Sequence, residues 1–352
     1  MAKLLALHRR RPPVPVYSHP TYTFRTMTVL VTGAGLVGCQ TAALLASRGQ
    51  RTLLVDLHPV PEVIGTVVQH PLVSVLQGDV RDRPAMLALM EDHQVDAVIH
   101  TAAAMTIAVL GDPTLAADVN IGGTVNLLEA ARAVGARRFV LSSSTSLYYP
   151  IFHRAPTSPI GEDFAFHTVS ERPTSLYGAS KLACEFFTHY YCDHFGLSAA
   201  ILRYSAVLGL WAGPNNSVPG RLLSTLLGQG RTDKRIAEFD PLLLWSGGED
   251  FIDVRDVALA NVAALEAQAL DSRVYTIASG RMARFADMVA AAQAVRPDLE
   301  IVAPDLPNSG FAGFAHPRNT PFDVSRARVE LGFEAQHDLQ STFRAAQRFV
   351  SR

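Results

Sequence analysis

The sequence predicts an α/β fold, a doubly wound parallel sheet with a smaller C-terminal substrate-binding region, on three observations. Short β-branched runs alternate with longer helical patterns from Met27 onward. A glycine-rich turn joins the first run directly to the first helical pattern. Beyond about residue 150 the alternation gives way to stretches rich in Pro, Ser, Thr and His, and then to irregular elements.

Each element has a local reason. Residues 29–32 (Val-Leu-Val-Thr) form the first expected strand, and 36–48 the first helix, ended by Gly49 in the position just past a helix. Further strands are expected at 52–55, 73–76, 97–99 and 139–141, with helices at about 83–93 and 114–134 between them. A loop is expected over 150–174, a strong helix over 175–195 and a strand over 199–203. These spans place a dinucleotide-type domain at 27–204. Residues 205–352 are expected to be mainly a substrate-binding cap, with segments returning to the main core.

Composition bounds the function. Hydrophobic residues make up 48% and charged residues 18% of 352, a globular balance. A net charge of −1 gives no general attraction to nucleic acid or to an anionic membrane. No run approaches the roughly 18 apolar residues of a spanning helix. Cys39, Cys184 and Cys192 form no CxxC and fit no disulfide framework, so a reduced, cytoplasmic setting is expected. Residues 1–26 carry five basic and no acidic side chains plus four prolines. They are expected to be a disordered basic extension outside the folded core, or a stretch ahead of a true start at Met27.

The turn reads Thr32-Gly33-Ala34-Gly35-Leu36-Val37-Gly38, a GxGxxG between strand and helix. Gly33 permits the tight turn, Gly35 lets backbone approach a pyrophosphate, and Gly38 lets helix and strand pack closely. The helix start, with Leu36 and Val37, then offers unpaired N–H groups to phosphate. Asp56 ends the second expected strand, where its carboxylate can accept from a ribose diol and repel a 2′-phosphate. A Rossmann domain binding NAD rather than NADP is expected.

Tyr177-Gly178-Ala179-Ser180-Lys181 puts a tyrosine and a lysine on one helix face. A phenol with a pKa of about 10 is a poor base near neutrality. The lysine ammonium and an oxidised nicotinamide ring are expected to lower it, so that Tyr177 can exchange a proton with a substrate hydroxyl.

With these motifs in order the chain resembles an extended short-chain dehydrogenase/reductase of the NAD-dependent epimerase/dehydratase family, over about residues 27–350. Matching stretches are Gly78-Asp79-Val80, His100-Thr101-Ala102-Ala103, Asn120-Ile121-Gly122-Gly123-Thr124, Ser142-Ser143-Ser144, Leu202-Arg203-Tyr204 and Asp250-Phe251-Ile252-Asp253-Val254. The resemblance implies that Ser144 bonds the reacting oxygen and that Asp79 and Val80 flank the adenine. It also implies that Thr101, Ala102 and Ala103 line the cofactor path, that Asn120 organises the active-site helix, and that Lys181 also holds the nicotinamide ribose. Many relatives pair the helices at 114–134 and 175–195 into homodimers, which is expected here.

Four departures bear on the substrate. The glycine turn is one residue shorter than the family's usual form. Thr145-Ser146 stands where 4,6-dehydratases carry Asp-Glu, which disfavours dehydration. Glu249 replaces an arginine that commonly holds a substrate diphosphate, and a carboxylate facing a diphosphate would repel it. Ala206 replaces an expected asparagine. The expected function is therefore a dehydrogenase acting at a secondary alcohol of a sugar-derived or other small substrate without a nucleotide diphosphate; the alternative is a nucleotide-sugar epimerase, with Arg221, Arg231 or Arg281 supplying the diphosphate contact. The acidic run Glu249, Asp250, Asp253 and Asp256 is expected to be structural, no metal is expected, and Trp211 and Trp245 are expected to wall a pocket.

Overall fold

The computed structural model describes residues 27–154, 158–164, 175–231 and 233–350. The basic arm at 1–26 and much of the expected loop at 150–174 lie outside the described residues.

Six strands come in chain order: β1 (Thr28–Thr32), β2 (Arg51–Asp56), β3 (Val73–Gln77), β4 (Val95–His100), β5 (Arg138–Ser144) and β6 (Ala199–Tyr204). Three short strands follow, β7 (Ala206–Leu208), β8 (Arg235–Ile236) and β9 (Phe251–Asp253), then β10 (Val274–Ile277) and β11 (Glu300–Ile301). The main sheet has seven parallel strands in the order β10-β6-β5-β4-β1-β2-β3. Strand order reverses beside β1, so the crevice beyond the carboxyl ends of β1 and β4 is open to a ligand. β7 pairs with β9, and β8 with β11, in two small sheets outside the main one.

The first helices are α1 (Leu36–Ser47), α2 (Pro61–Ile64), α3 (Arg83–Asp92), α4 (Thr106–Gly111), α5 (Gly123–Ala133) and α6 (Leu176–Phe195). They are followed by α7 (Val218–Leu226), α8 (Val254–Glu266), α9 (Phe285–Val295), α10 (Ser325–Leu331) and α11 (Leu339–Gln347). One face of the sheet is covered by α1 and α8 over Val31, Ile99, Val140 and Leu202. The other is covered by α3, α5 and α6 over Leu30, Val98, Phe139 and Ile201. Burial on both faces explains why these strands read as unbroken apolar runs. A separate core holds the C-terminal region together around Leu222, Trp245, Phe251, Met288 and Phe343.

Two expectations change here. The single helix expected over 114–134 is a π-helical turn at Ala116–Gly122 followed by α5. That wide turn brings Asn120 against α6, where its Nδ2 donates to Ser180 Oγ at 3.0 Å. Trp245 walls no pocket: it is fully buried in the C-terminal core, edge-on to Phe251, Phe285 and Phe311.

Candidate active site

At the carboxyl ends of β1 and β4 the backbone itself forms the wall. Gly33 has φ of +87°, and a Cβ there would lie 2.7 Å from the Ala102 nitrogen. A Cβ on Gly38 would lie 1.9 Å from the Gly33 oxygen, so helix and turn approach as only glycine allows. Gly35 has open space on its outer side, and no side chain caps α1. The first N–H groups of α1 are therefore presented to the cleft, as a pyrophosphate requires. Asp56 accepts from the Ala34 nitrogen at 2.7 Å and the His58 nitrogen at 2.9 Å, which fixes its carboxylate at the rim.

Leu36, Val37, Asp79, Val80, Thr101, Ala102 and Ala103 line the same cleft. Asp79 is held by the Arg81 guanidinium, whose hydrogen bonds keep its carboxyl below the usual range. Thr101 Oγ1 donates to the Thr32 carbonyl at 2.6 Å, fastening β4 to the glycine turn. These features fit a dinucleotide: an uncapped helix start, a backbone cradle and a carboxylate beyond it. Asn120 alone among the residues expected to bind the cofactor or carry the chemistry does not line the cleft. It stands one layer behind, bonding both backbone groups of Ala104 and the Ser180 hydroxyl.

Ser144 is the last residue of β5, and Tyr177 and Lys181 stand one turn apart on α6. The Ser175 hydroxyl caps α6 by accepting from the Gly178 nitrogen at 3.2 Å. A Cβ on Gly178 would meet the Ser146 oxygen at 3.2 Å, which shows how closely α6 approaches the segment after β5. All three side chains line the cleft. Lys181 Nζ donates to the Ser142 carbonyl at 2.8 Å and lies 5.8 Å from the Tyr177 ring centre.

Burial pushes the Tyr177 pKa well up, a hydrogen bond with Ser144 pulls it the other way, and burial dominates. Burial also lowers the Lys181 pKa. The chain by itself therefore keeps the tyrosine protonated, because both groups lose hydration together. Beneath them Glu185 of α6 binds Arg203 of β6 at 2.6 Å and accepts from Ser143 at 2.5 Å. This pins α6 to β5 and β6.

The cleft continues past Ser144 into a second chamber, with a total volume of about 660 Å3. Its walls come from Tyr149, Ala206, Trp211, Asn215, Asn216, Ser217, Phe311 and Phe314. Sequence reasoning named Ala206 and Trp211 among these but missed the other six. The signal available for one group was Ser217-Val218-Pro219, a helix start: the Ser217 hydroxyl accepts from the Gly220 nitrogen and caps α7.

Glu249 does not face this chamber. Its side chain is 1% exposed and is paired with Arg318, equally buried, and it also accepts from the Tyr149 hydroxyl at 3.2 Å. The expected repulsion of a substrate diphosphate is therefore absent, because the carboxylate is turned inward and neutralised. Arg221 and Arg231 are paired with Asp240 and Asp233, and Arg281 lines a different, smaller hollow. None of the three lines the cleft.

The rest of the acidic run is also tied to the fold. Asp250 accepts from the backbone of Ser279 and Gly280, and Asp253 caps α8 while binding Arg255. Asp256 accepts from two backbone nitrogens and from His337. Among the described residues no three His, Cys, Asp or Glu side chains gather as metal ligands, and no helix is long and apolar enough to cross a membrane.

The chain matches the NAD dependent epimerase/dehydratase family over residues 29–278. It is 27% identical to UDP-glucuronate 4-epimerase 3 of Arabidopsis thaliana over 91% of this chain and 75% of that one. It is 28% identical to a UDP-glucose 4-epimerase of Corynebacterium glutamicum, over 92% and 96% of the two chains. The crystal structure of a UDP-glucose-4-epimerase from Stenotrophomonas maltophila, with bound NAD and formylated UDP-arabinopyranose, superposes with a TM-score of 0.74 at 27% identity, covering 92% of this chain and 98% of that one. These relatives overturn the expected dehydrogenase of a substrate without a nucleotide: all are named as epimerases of nucleotide-linked sugars. Glu249 raises no barrier to a diphosphate, because Arg318 draws its carboxylate into the core. With its glycine cradle, its Ser-Tyr-Lys group and its parallel sheet, the chain is an NAD-dependent enzyme of the extended short-chain dehydrogenase/reductase type and belongs to the NAD-dependent epimerase/dehydratase family.

Proposed function

We propose that this chain is a nucleotide-sugar epimerase that inverts C4 of a sugar carried on a nucleoside diphosphate. The observation that carries the reading is a single cleft running from the glycine turn, past Ser144, Tyr177 and Lys181, into the chamber before α7. The 4-epimerase relatives, aligned over most of the chain, support the same reading.

Bound NAD supplies the hydride acceptor and, when oxidised, a positive ring charge that favours the phenolate. Tyr177 Oη takes the proton from the sugar hydroxyl and later returns it. The Ser144 hydroxyl bonds the same oxygen and orients it. Lys181 places its ammonium beside the phenol and, by family resemblance, on the nicotinamide ribose. Inversion requires the oxidised sugar to turn before it is reduced again, so the nucleotide must be held while the sugar is held loosely. Asn216 and Ser217, which line the chamber just before α7, would hold it through neutral donors.

The test is conversion of UDP-glucose to UDP-galactose by enzyme with NAD, followed by NMR of the anomeric protons. Epimerisation without accumulating NADH is the expected result. Sugar consumption matched by NADH release would sink the proposal.

Two finer readings accompany it. Phe186, Phe187, Tyr190 and Phe195 are exposed apolar side chains on α6, which supports a homodimer through α5 and α6. A monomer in sedimentation velocity would refute this. Three free, buried cysteines support a cytoplasmic setting.

A further inference from the structure

We propose that Tyr149 sets the substrate specificity of this site. Its ring is a wall that admits a pyranose with a small uncharged substituent at C5 and excludes a C5 carboxylate. The inference rests on the nucleotide-sugar reading and deepens it.

Tyr149 lies in the helical turn that begins directly after Ser144, and the side chain of Thr145 hydrogen-bonds its hydroxyl. It is therefore tied to the residue next to the reacting centre. Its ring stacks on Phe314 with centroids 4.0 Å apart and planes within 5°. Both rings line the cleft. The hydroxyl is turned away from the chamber, donating to Glu249, which is in turn paired with Arg318. What Tyr149 offers the cleft is therefore ring carbon rather than a polar group.

A sugar that presents its C4 oxygen to Tyr177 and Ser144 carries its C5 substituent one ring atom away. A hydroxymethyl or methyl group can pack on an aromatic wall. A carboxylate there would lose water and gain no donor from Tyr149, which is costly for a charge. Glu249 and Arg318 act through Tyr149 and are positioning residues: they hold the ring edge-fixed from behind while its face is held by Phe314.

The experiment compares kcat/KM for UDP-glucose and UDP-glucuronate in the unmutated enzyme, Tyr149→Ala and Tyr149→Phe, with UDP affinity measured by calorimetry in each. Tyr149→Ala is expected to raise the glucuronate-to-glucose ratio at least about tenfold, while Tyr149→Phe keeps it, since the ring remains. UDP affinity should stay nearly constant across the three. If Tyr149→Ala does not fold, Phe314→Ala removes the other half of the stack and should move the ratio in the same direction. A ratio unmoved in every folded variant overturns the wall, and so does Tyr149→Phe matching Tyr149→Ala. Failure of the unmutated enzyme to bind UDP overturns the nucleotide-sugar reading itself, and this inference with it.

Discussion

At the cofactor end of the cleft the wall is built on the backbone of the glycine turn, made possible by two glycines that no larger residue could replace. At the substrate end the wall is side chains from three segments, near 149, 206–217 and 311–314. The charges behind the two ends differ as well. Behind the cofactor end the titratable group is His100, between the hydroxyls of Thr32 at 2.7 Å and Thr124 at 3.1 Å and held neutral. Behind the substrate end is a charged pair, Glu249 with Arg318, sealed from water. A backbone cradle has one solution and is specified locally, whereas a side-chain wall can be rebuilt residue by residue. Relatives sharing the first end can therefore differ at the second.

The largest test of that contrast is acid. Burial, aided by the Lys181 charge, holds the His100 pKa down to about 3, against about 6.5 in an unfolded chain. The unfolded chain thus binds a proton that the folded chain refuses between those values. Stability from this group is fully present above pH 6.5 and lost as pH falls toward 3, by roughly 1.4 kcal/mol per unit and about 5 kcal/mol in all. Urea titrations over that range should show a shallower pH slope for His100→Gln than for the unmutated chain; parallel slopes would remove His100 from the account.

Next in size is the substrate end. Arg318→Met leaves Glu249 buried without its cation and should cost about 3–5 kcal/mol. The double variant Glu249→Leu with Arg318→Met should recover much of that loss. Chemical denaturation of both proteins checks it, and equal losses would mean that the pair is not what holds this wall.

Turnover gives the third comparison, because Tyr177 stands where the two ends meet. Tyr177→Phe should reduce kcat by about 100-fold or more and change NAD affinity little, since only a proton-transfer hydroxyl is lost. Normal turnover in this variant would displace Tyr177 from the mechanism. The smallest expected effect lies at the cofactor rim: NAD should bind at least about tenfold more tightly than NADP, and Asp56→Ala should narrow that gap. Fluorescence titration with both cofactors decides it.

The sequence by itself determined the parts that depend on near neighbours. Steric necessity at Gly33 and Gly38, apolar runs buried on both faces, and helical spacing of Tyr177 and Lys181 are properties of short segments. The sheet and the glycine cradle followed from them, whereas the place of Ser144 beside Tyr177 and Lys181 came from the family resemblance. The tertiary structure alone decided which way side chains turn. Glu249 reads as an anion beside a ligand until Arg318, 69 residues later, is seen to draw it into the core. Tyr149 and Phe314 become a wall only because their segments meet, and Trp245 leaves the cleft for the core around Phe251 and Phe311. How far the chain's own atoms enclose Tyr177, and so push its pKa up, is likewise set by the whole enclosure and not by spacing along a helix.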